Sequence, residues 1–290
     1  MRIEIEARSG FCFGVKRAIE RAEEALHQGE PLFCLGQIVH NEEEEKRLQG
    51  LGMQQLEPGH LKAIQGKRVL LRAHGEPPET YHRFYEKGAR VIDATCPVVI
   101  KLQKRVKKAF EEMPGAQILI YGKQGHPEVI GLEGQTGYRA IVVGDNAKDL
   151  EIVDLRKPVV LFSQTTKSLE GFGELIQRIW QGMQSVGADP DELLTVNDTI
   201  CRQVSRRGPA IKKFAQSHDV IIFVSGINSS NGRYLFGLCR EVNPKTYLVG
   251  HAKDLQKEWI EGAQSVGISG ATSTPRWQLE QVAEAIKNLT

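Results

Sequence analysis

Six short, almost continuously apolar runs, separated by amphipathic stretches, constrain the fold more than any other feature of this sequence. The runs are Pro31–Leu35, Arg68–Arg72, Gln117–Tyr121, Pro158–Phe162, Asp219–Val224 and Ser265–Ile268. Apolar runs of four to six residues are typical of strands that are buried on both faces, as in parallel sheets. Their alternation with helical stretches predicts an α/β fold with right-handed crossover connections.

One local pattern occurs three times: a strand, a tight turn that carries a cysteine, and an amphipathic helix. The three turns carry Cys12, Cys96 and Cys201, about one hundred residues apart. Apolar residues recur with the helical period after the first two cysteines. After the third, Gly208 and Pro209 predict that the helix starts again there. We therefore expect three similar α/β units.

The expected boundaries of these units follow from the repeated pattern. The first unit is residues 1–97, with Cys96 at the junction, and the second is residues 98–193. The third is residues 194–290 and includes a C-terminal helix. Each unit is expected to bring one cysteine to the carboxyl end of a strand.

Polar side chains follow the apolar runs consistently. They include His40, His74, His126, Thr165, Ser229, Ser230, Asn231 and Ser273. Ligands of α/β proteins bind beyond the carboxyl ends of the strands, and helix N-termini favour anions. These residues predict a diphosphate-sized pocket built from uncharged donors and histidines. Glu128, two residues after His126, is either an exposed acid or a proton donor tuned by burial.

The charge balance argues against nucleic acid and anionic membranes as partners. The 290 residues include 38 basic and 36 acidic side chains, a net charge of +2, so an anion must be held by a local site. No apolar run approaches the roughly 20 residues that span a bilayer. The N-terminal stretch lacks the apolar core of a signal peptide. We expect a cytoplasmic protein that does not enter the membrane.

The five cysteines leave more than one reading open. Their odd number and wide spacing, in a reducing compartment, argue against a disulfide framework. The sequence contains no Cys-x-x-Cys pair, which argues against a zinc ribbon. Three thiolates can hold three corners of a 4Fe–4S cluster and leave the fourth iron open. Core packing is the alternative for each. Cys34 and Cys239 lie in apolar surroundings and are interpreted as packing residues.

Two further groups of residues are given little functional weight. The run Glu42–Glu45 is interpreted as the solvated face of a helix. The remaining histidines lack a turn context: His27, His60, His82, His218 and His251.

Nine short motifs, in a fixed order, cover essentially the whole chain. They are Gly10–Lys16, Val39–Asn41, Ala73–Gly75, Asp93–Pro97, Gly125–Val129, Gln164–Thr166, Thr199–Cys201, Asn228–Asn231 and Ser273–Pro275. In these motifs the chain resembles the 4-hydroxy-3-methylbut-2-enyl diphosphate reductases, the LytB/IspH family.

The resemblance implies a fold, a cofactor and a set of site residues. The fold is three α/β units in a trefoil arrangement around a central cavity, which holds a 4Fe–4S cluster with one open iron. The implied cluster ligands are Cys12, Cys96 and Cys201. Glu128 and Thr165 are implied to hydrogen-bond the substrate's C4 hydroxyl, which binds the open iron, and to relay protons. The implied diphosphate ligands are His40, His74, His126, Ser229, Ser230, Asn231 and Ser273.

The resemblance also implies a reaction and partners. The substrate is the allylic diphosphate (E)-4-hydroxy-3-methylbut-2-enyl diphosphate. A two-electron reductive dehydroxylation yields isopentenyl and dimethylallyl diphosphate, the last step of the methylerythritol phosphate route to isoprenoids. The electrons come from reduced ferredoxin or flavodoxin in many members.

Two departures from the family pattern stand out. The segment Arg202–Arg207 replaces the Ala-Thr-rich version that is common in the family. The loop before the C-terminal helix offers Ser269 as a weaker alternative to Ser273.

Three other functions remain alternatives. A cluster-dependent dehydratase, such as a quinolinate-synthase-like enzyme, would need no added reductant. A cluster-based redox sensor would need no acid beside the metal. A mononuclear zinc or iron hydrolase would differ in its metal and sulfide content.

Overall fold

The protein has an α/β fold with three four-stranded parallel sheets, which confirms the fold class expected from the sequence. The computed structural model describes residues 1–56 and 64–289, so His60 lies outside the described residues. The strands are Arg2–Ile5 (β1), Leu32–Leu35 (β2), Met53–Leu56 (β3), Arg68–Leu71 (β4), Arg90–Asp93 (β5), Gln117–Tyr121 (β6), Ile141–Val143 (β7), Val159–Ser163 (β8), Leu194–Asn197 (β9), Val220–Val224 (β10), Thr246–Val249 (β11) and Ser265–Gly270 (β12).

Among the described residues, helices lie between most consecutive strands, as the crossover connections of parallel strands usually require. They are Phe13–His27 (α1), Glu42–Gly50 (α2), Pro78–Glu86 (α3), Pro97–Glu112 (α4), Pro127–Gly134 (α5), Leu169–Ser185 (α6), Pro190–Leu193 (α7), Arg202–Ser205 (α8), Arg207–Gln216 (α9), Ser230–Val242 (α10), Lys257–Ile260 (α11) and Arg276–Leu289 (α12). None of the helices in the described ranges has the length and apolar character of a membrane span.

The described residues divide into two compact units. Residues 1–60 and 202–290 form one, which is called the first unit from here on, and residues 61–201 form the other, which is called the second unit. These two observed units differ from the three units expected from the sequence. The first unit contains a sheet in the order β1-β12-β10-β11, and the second contains a sheet in the order β7-β6-β8-β9. In the remaining sheet β2 pairs with β3 and β4 pairs with β5, again in parallel.

The strand before Cys12 pairs with the last strand of the chain. In β1, Ile3 lies opposite Val266 and Ile5 lies opposite Ile268 of β12. Such a contact between distant parts of the chain leaves no signal in local sequence. The three-unit boundaries near residues 97 and 193 stay a prediction.

All six apolar runs form strands, and these are the buried ones. Every residue of β8 and of β10 is buried, whereas β9 and β11 at the sheet edges are partly exposed. The C-terminal helix closes one side of the first unit's sheet, because Leu279, Val282 and Ile286 of α12 join the same apolar cluster as β10 and β12. The third amphipathic helix restarts at Arg207, beside the Gly208–Pro209 pair.

The interpretation of Glu42–Glu45 as a solvated face is wrong for its second half. Glu44 is fully buried and Glu45 nearly so. The Glu44 carboxylate accepts hydrogen bonds from Arg47 Nε (3.0 Å) and Trp277 Nε1 (2.9 Å). Glu45 Oε1 accepts one from the Val39 amide (2.9 Å). These acids therefore fasten α2 to its surroundings rather than face water.

Candidate active site

Two predicted cysteines lie in loops that hydrogen bonds tie to other predicted site loops in the second unit. The Cys96 amide donates to the Ala73 carbonyl (3.1 Å), next to His74, and the Cys201 amide donates to the Thr165 carbonyl (2.9 Å). Thr199 fastens the Cys201 loop further, because its hydroxyl donates to the Ser163 carbonyl (2.6 Å) and accepts from the Ser163 amide. The strand ends thus hold both cysteines in place.

The five cysteines divide into two classes by burial. Cys12, Cys96 and Cys201 are half-buried, whereas Cys34 and Cys239 are fully buried in the core, and none forms a disulfide. Burial raises the pKa of Cys239 to about 12, and its thiol packs in an apolar cluster with Ile221, Phe223 and Leu235. The location of Cys34 and Cys239 fits the packing role expected for them.

Cys96 lies near Cys201 and at the N-terminus of a helix, and these two features suit a metal ligand. Burial raises the pKa of its thiol, the amides of Val98 and Val99 lower it, and the nearby Cys201 and Glu128 raise it further. Cys12 and Cys96 are the N-cap residues of α1 and α4. Helix N-termini favour the thiolate form, which is the form that binds metals.

Glu128 and Thr165 form a buried pair. Glu128 Oε1 accepts from the Thr165 amide (2.6 Å), and Oε2 accepts from the Thr165 hydroxyl (2.7 Å). Both side chains are at most 5% exposed. Burial raises the pKa of Glu128 to about 7, although the two bonds from Thr165 lower it. Of the two alternatives for Glu128, the structure shows the buried acid. With a pKa of about 7, this acid is half protonated near neutral pH.

His126 and His74 lie beside this pair. The His126 ring caps α5, because its Nδ1 accepts from the Glu128 amide (3.2 Å). The proton of the neutral ring is therefore assigned to Nε2, which can donate to an anion. The two imidazoles meet edge to face, with ring centroids 5.5 Å apart. Gly75 has a positive φ of 73° and leaves no room for a side chain against Gln103 and Thr95, so the turn after His74 requires glycine.

The other predicted binding residues gather in the first unit. Ser229 caps α10 by accepting from the Gly232 amide (3.0 Å), and Ser230 is the first residue of that helix. The Ser273 hydroxyl donates to Ser229 Oγ (3.3 Å) and lies 3.5 Å from the His40 carbonyl. A side chain at Gly226 would overlap that carbonyl. The close approach fixes the backbone of His40 beside the α10 N-terminus.

Asn231 presents a buried donor. Its Oδ1 accepts from the Thr272 amide (3.1 Å) and the Thr272 hydroxyl (3.0 Å). These bonds fix the orientation of the amide. Within residues 1–56 and 64–289, the Asn231 Nδ2 is buried and makes no hydrogen bond. A buried amide without a partner is costly, so this atom points to a ligand. The Cys12 amide also donates to the Thr272 carbonyl (3.2 Å).

Ser269 is engaged elsewhere, which favours Ser273 as the binding serine. The Ser269 hydroxyl donates to Glu6 Oε2 (2.6 Å), and Arg207 Nη2 lies 3.2 Å from the same oxygen. Sequence reasoning missed this buried ion pair, since 201 residues separate its partners. It also missed the bond from Asn41 Nδ2 to Gln278 Oε1 (2.8 Å), which holds the chain after His40 against α12.

A family model described as "LytB protein" matches residues 3–287. The chain belongs to the LytB family. This confirms the resemblance. An iron–sulfur cofactor is expected for LytB proteins, and in this member the three half-buried cysteines are the ones in the family motifs.

Named relatives and solved structures agree. The chain is 47% identical to the 4-hydroxy-3-methylbut-2-enyl diphosphate reductase of Bacteroides fragilis, covering 99% of this chain and 98% of the relative. It is 48% identical to the reductase of Porphyromonas gingivalis, covering 99% of each.

Among solved structures, the chain is similar to an (E)-4-hydroxy-3-methyl-but-2-enyl diphosphate reductase, the terminal enzyme of the non-mevalonate pathway. It matches with a TM-score of 0.73 and 37% identity over 99% of this chain and all of that one. A reductase structure from Plasmodium falciparum matches with a TM-score of 0.85 and 25% identity, over 98% of this chain and 87% of that one.

Proposed function

We propose that the chain reduces (E)-4-hydroxy-3-methylbut-2-enyl diphosphate to isopentenyl and dimethylallyl diphosphate, with two electrons and two protons consumed and water released. The observation that carries this proposal is the buried Glu128–Thr165 pair, which holds a proton near neutral pH in the same unit as Cys96 and Cys201. The names of the relatives support it. The proposed reaction takes place in the cytoplasm, where thiols stay reduced, and its electron donor is reduced ferredoxin or flavodoxin.

The cysteines fit the proposed 4Fe–4S cluster. Three half-buried thiols follow three strands, and Cys96 and Cys201 are close enough for their charges to interact. A buried thiol with a raised pKa gives up its proton when iron binds. Cys12, Cys96 and Cys201 would hold three irons. With the fourth iron open, such a cluster would supply single electrons and a Lewis acid.

The diphosphate is proposed to bind side chains from several strand-end loops. In the first unit the α10 N-terminus, Ser229, Ser230, Asn231 and Ser273 offer donors, and α10 is long enough to favour an anion there. We propose that His40, His74 and His126 bind the diphosphate as well. Because the chain has a net charge of only +2, a diphosphate must be bound by local donors, and these uncharged side chains supply them. Fixing the diphosphate orients the allylic alcohol, which supplies much of the catalytic gain.

Glu128 is proposed to supply the proton that turns the C4 hydroxyl into water as its bond to carbon breaks. Thr165 fixes both carboxyl oxygens and passes the proton through its hydroxyl. Because the pair is buried, the proton is not exchanged freely with solvent.

Asn231→Asp is expected to weaken the binding of inorganic diphosphate about 10- to 100-fold, since a bond to a charged group contributes about 1.5–3 kcal/mol. Aspartate keeps the acceptor for Thr272 but replaces the Nδ2 donor with a negative charge. Isothermal titration calorimetry checks this. The control is Ser269→Ala, which should bind as the wild type does. Unchanged binding by Asn231→Asp would remove Nδ2 from the site, and weakened binding by Ser269→Ala would make Ser269 the binding serine.

Anaerobic turnover with a viologen reductant tests the proposed function. The iron-loaded protein should oxidise two viologen radicals for each diphosphate product and make nothing without reductant. Product formed without electron consumption would contradict the proposal and favour the dehydratase alternative.

A further inference from the structure

A basic cavity adjoins Cys12 in the first unit. Its volume is about 370 Å³, and it is open to solvent. The residues that line it are Arg8, Gly10, Phe11, Cys12, Phe13, Arg202, Gln203, Arg206, Arg207 and Thr272. Four of these are arginines, and no acidic residue of the described chain lines it.

Arg8, Arg202 and Arg206 form, with Phe13, the exposed rim of this cavity, whereas Arg207 is buried. Arg207 is 6% exposed and paired with Glu6. Arg202 and Arg206 lie one helical turn apart, with the Arg206 amide donating to the Arg202 carbonyl (3.1 Å). In residues 1–56 and 64–289, neither Arg8 nor Arg206 is paired with a carboxylate. The rim thus carries positive charge toward solvent.

The rim is held firmly beside Cys12. Gln203 Oε1 accepts a hydrogen bond from the Phe13 amide (3.1 Å). This bond joins helix α8 to the residue after Cys12. The ring of Phe13 is 58% exposed. An exposed aromatic ring among arginines is the composition of a protein–protein interface. Arg202 also follows Cys201 directly in sequence, so the rim is next in the chain to two of the three proposed cluster ligands.

We propose that this rim, formed by Arg8, Phe13, Arg202 and Arg206, is the docking surface of an acidic one-electron carrier protein. The inference rests on the proposed function, because only a reductase must receive electrons. Each docked carrier is oxidised by one electron, and two such encounters reduce one substrate. A chain of net charge +2 has no general attraction for acidic proteins, so this local cluster directs the encounter to the side of Cys12.

The Arg8→Glu/Arg206→Glu double variant tests the docking surface. These positions are exposed and have no part in the proposed chemistry. The matched control is Lys253→Glu/Lys257→Glu, which makes the same charge change after β11, at the other edge of the β1-β12-β10-β11 sheet. The probe is a recombinant plant-type ferredoxin, titrated into each protein at low and high salt.

The double variant should bind ferredoxin at least about tenfold more weakly at low salt, and the difference should shrink at high salt. The control should stay within about twofold of the wild type. Turnover driven by dithionite should be equal in all three proteins, whereas ferredoxin-driven turnover should fall in the double variant only.

Two results would overturn the docking surface. One is ferredoxin binding that the double variant leaves unchanged. The other is a loss of inorganic diphosphate binding instead, which would make the cavity a small-anion site. If the wild-type protein binds ferredoxin through this rim but shows no dithionite-driven turnover, the proposed function is refuted and the docking surface is not.

Discussion

Glu128→Gln is expected to lower the turnover number about 100- to 10,000-fold, the range that a positioned general acid contributes. The side chain keeps its shape but can no longer release a proton. Its Oε1 still accepts from the Thr165 amide, and its Nε2 can donate to the Thr165 hydroxyl. The fold, the cluster content and diphosphate binding should therefore be unchanged, which separates a chemical role from a structural one.

The pH profile of the wild type should carry the same signature. Burial raises the pKa of Glu128 to about 7, so the acid is mostly protonated below pH 7 and ionised above it. The turnover number should be level below pH 7 and fall toward tenfold per pH unit above it. Glu128→Gln should lose this descending limb.

Glu133→Gln is the matched control, because Glu133 lies on the same helix, α5, but is only partly buried. Its turnover should equal that of the wild type. Steady-state rates with saturating reductant, measured from pH 6 to pH 9, check all three proteins. Turnover close to the wild-type value in Glu128→Gln would exclude this carboxyl as the proton donor.

Cys96→Ser is expected to abolish cluster assembly and, with it, all turnover. Serine keeps the size of the side chain but offers a hydroxyl that does not ionise near neutral pH. Two thiolates cannot hold a cluster that needs three. Iron and acid-labile sulfide per chain should fall to near zero after anaerobic reconstitution, and Cys12→Ser and Cys201→Ser should behave alike.

Cys239→Ala provides the comparison. Cys239 is fully buried and its pKa is raised to about 12, so this variant should assemble a full cluster. An intact four-iron signal in Cys96→Ser would break the ligand assignment. Loss of the cluster in Cys239→Ala, with the fold retained, would show that burial does not separate ligands from packing residues.

The buried strands could be predicted from sequence, whereas the edge strands were only partly recognisable. Central strands such as β8 and β10 are covered on both faces and therefore read as continuous apolar runs. Strands β3, β7 and β11 were not predicted. The two middle residues of β3 are exposed and polar, and β7 has only three residues. Strands of this kind lack a distinct hydrophobic period.

The candidate site residues could be predicted from sequence, but the contacts that hold them could not. Motif residues such as His126 and Ser229 sit where the turn chemistry suggested, since each caps a helix. The Glu6–Arg207 pair and the Asn41–Gln278 bond join residues more than 200 positions apart. The burial of Glu44 likewise depends on Trp277. Contacts of this kind follow from tertiary packing, which local pattern does not encode.

Mössbauer spectroscopy of the anaerobic, iron-57-labelled protein, with and without (E)-4-hydroxy-3-methylbut-2-enyl diphosphate, tests whether the chain holds a four-iron cluster with one open iron. We expect a four-iron signal in which the substrate changes the parameters of one iron only, because Cys12, Cys96 and Cys201 would hold the other three irons. A protein that assembles no cluster, or a cluster in which the substrate perturbs no iron, would contradict this expectation.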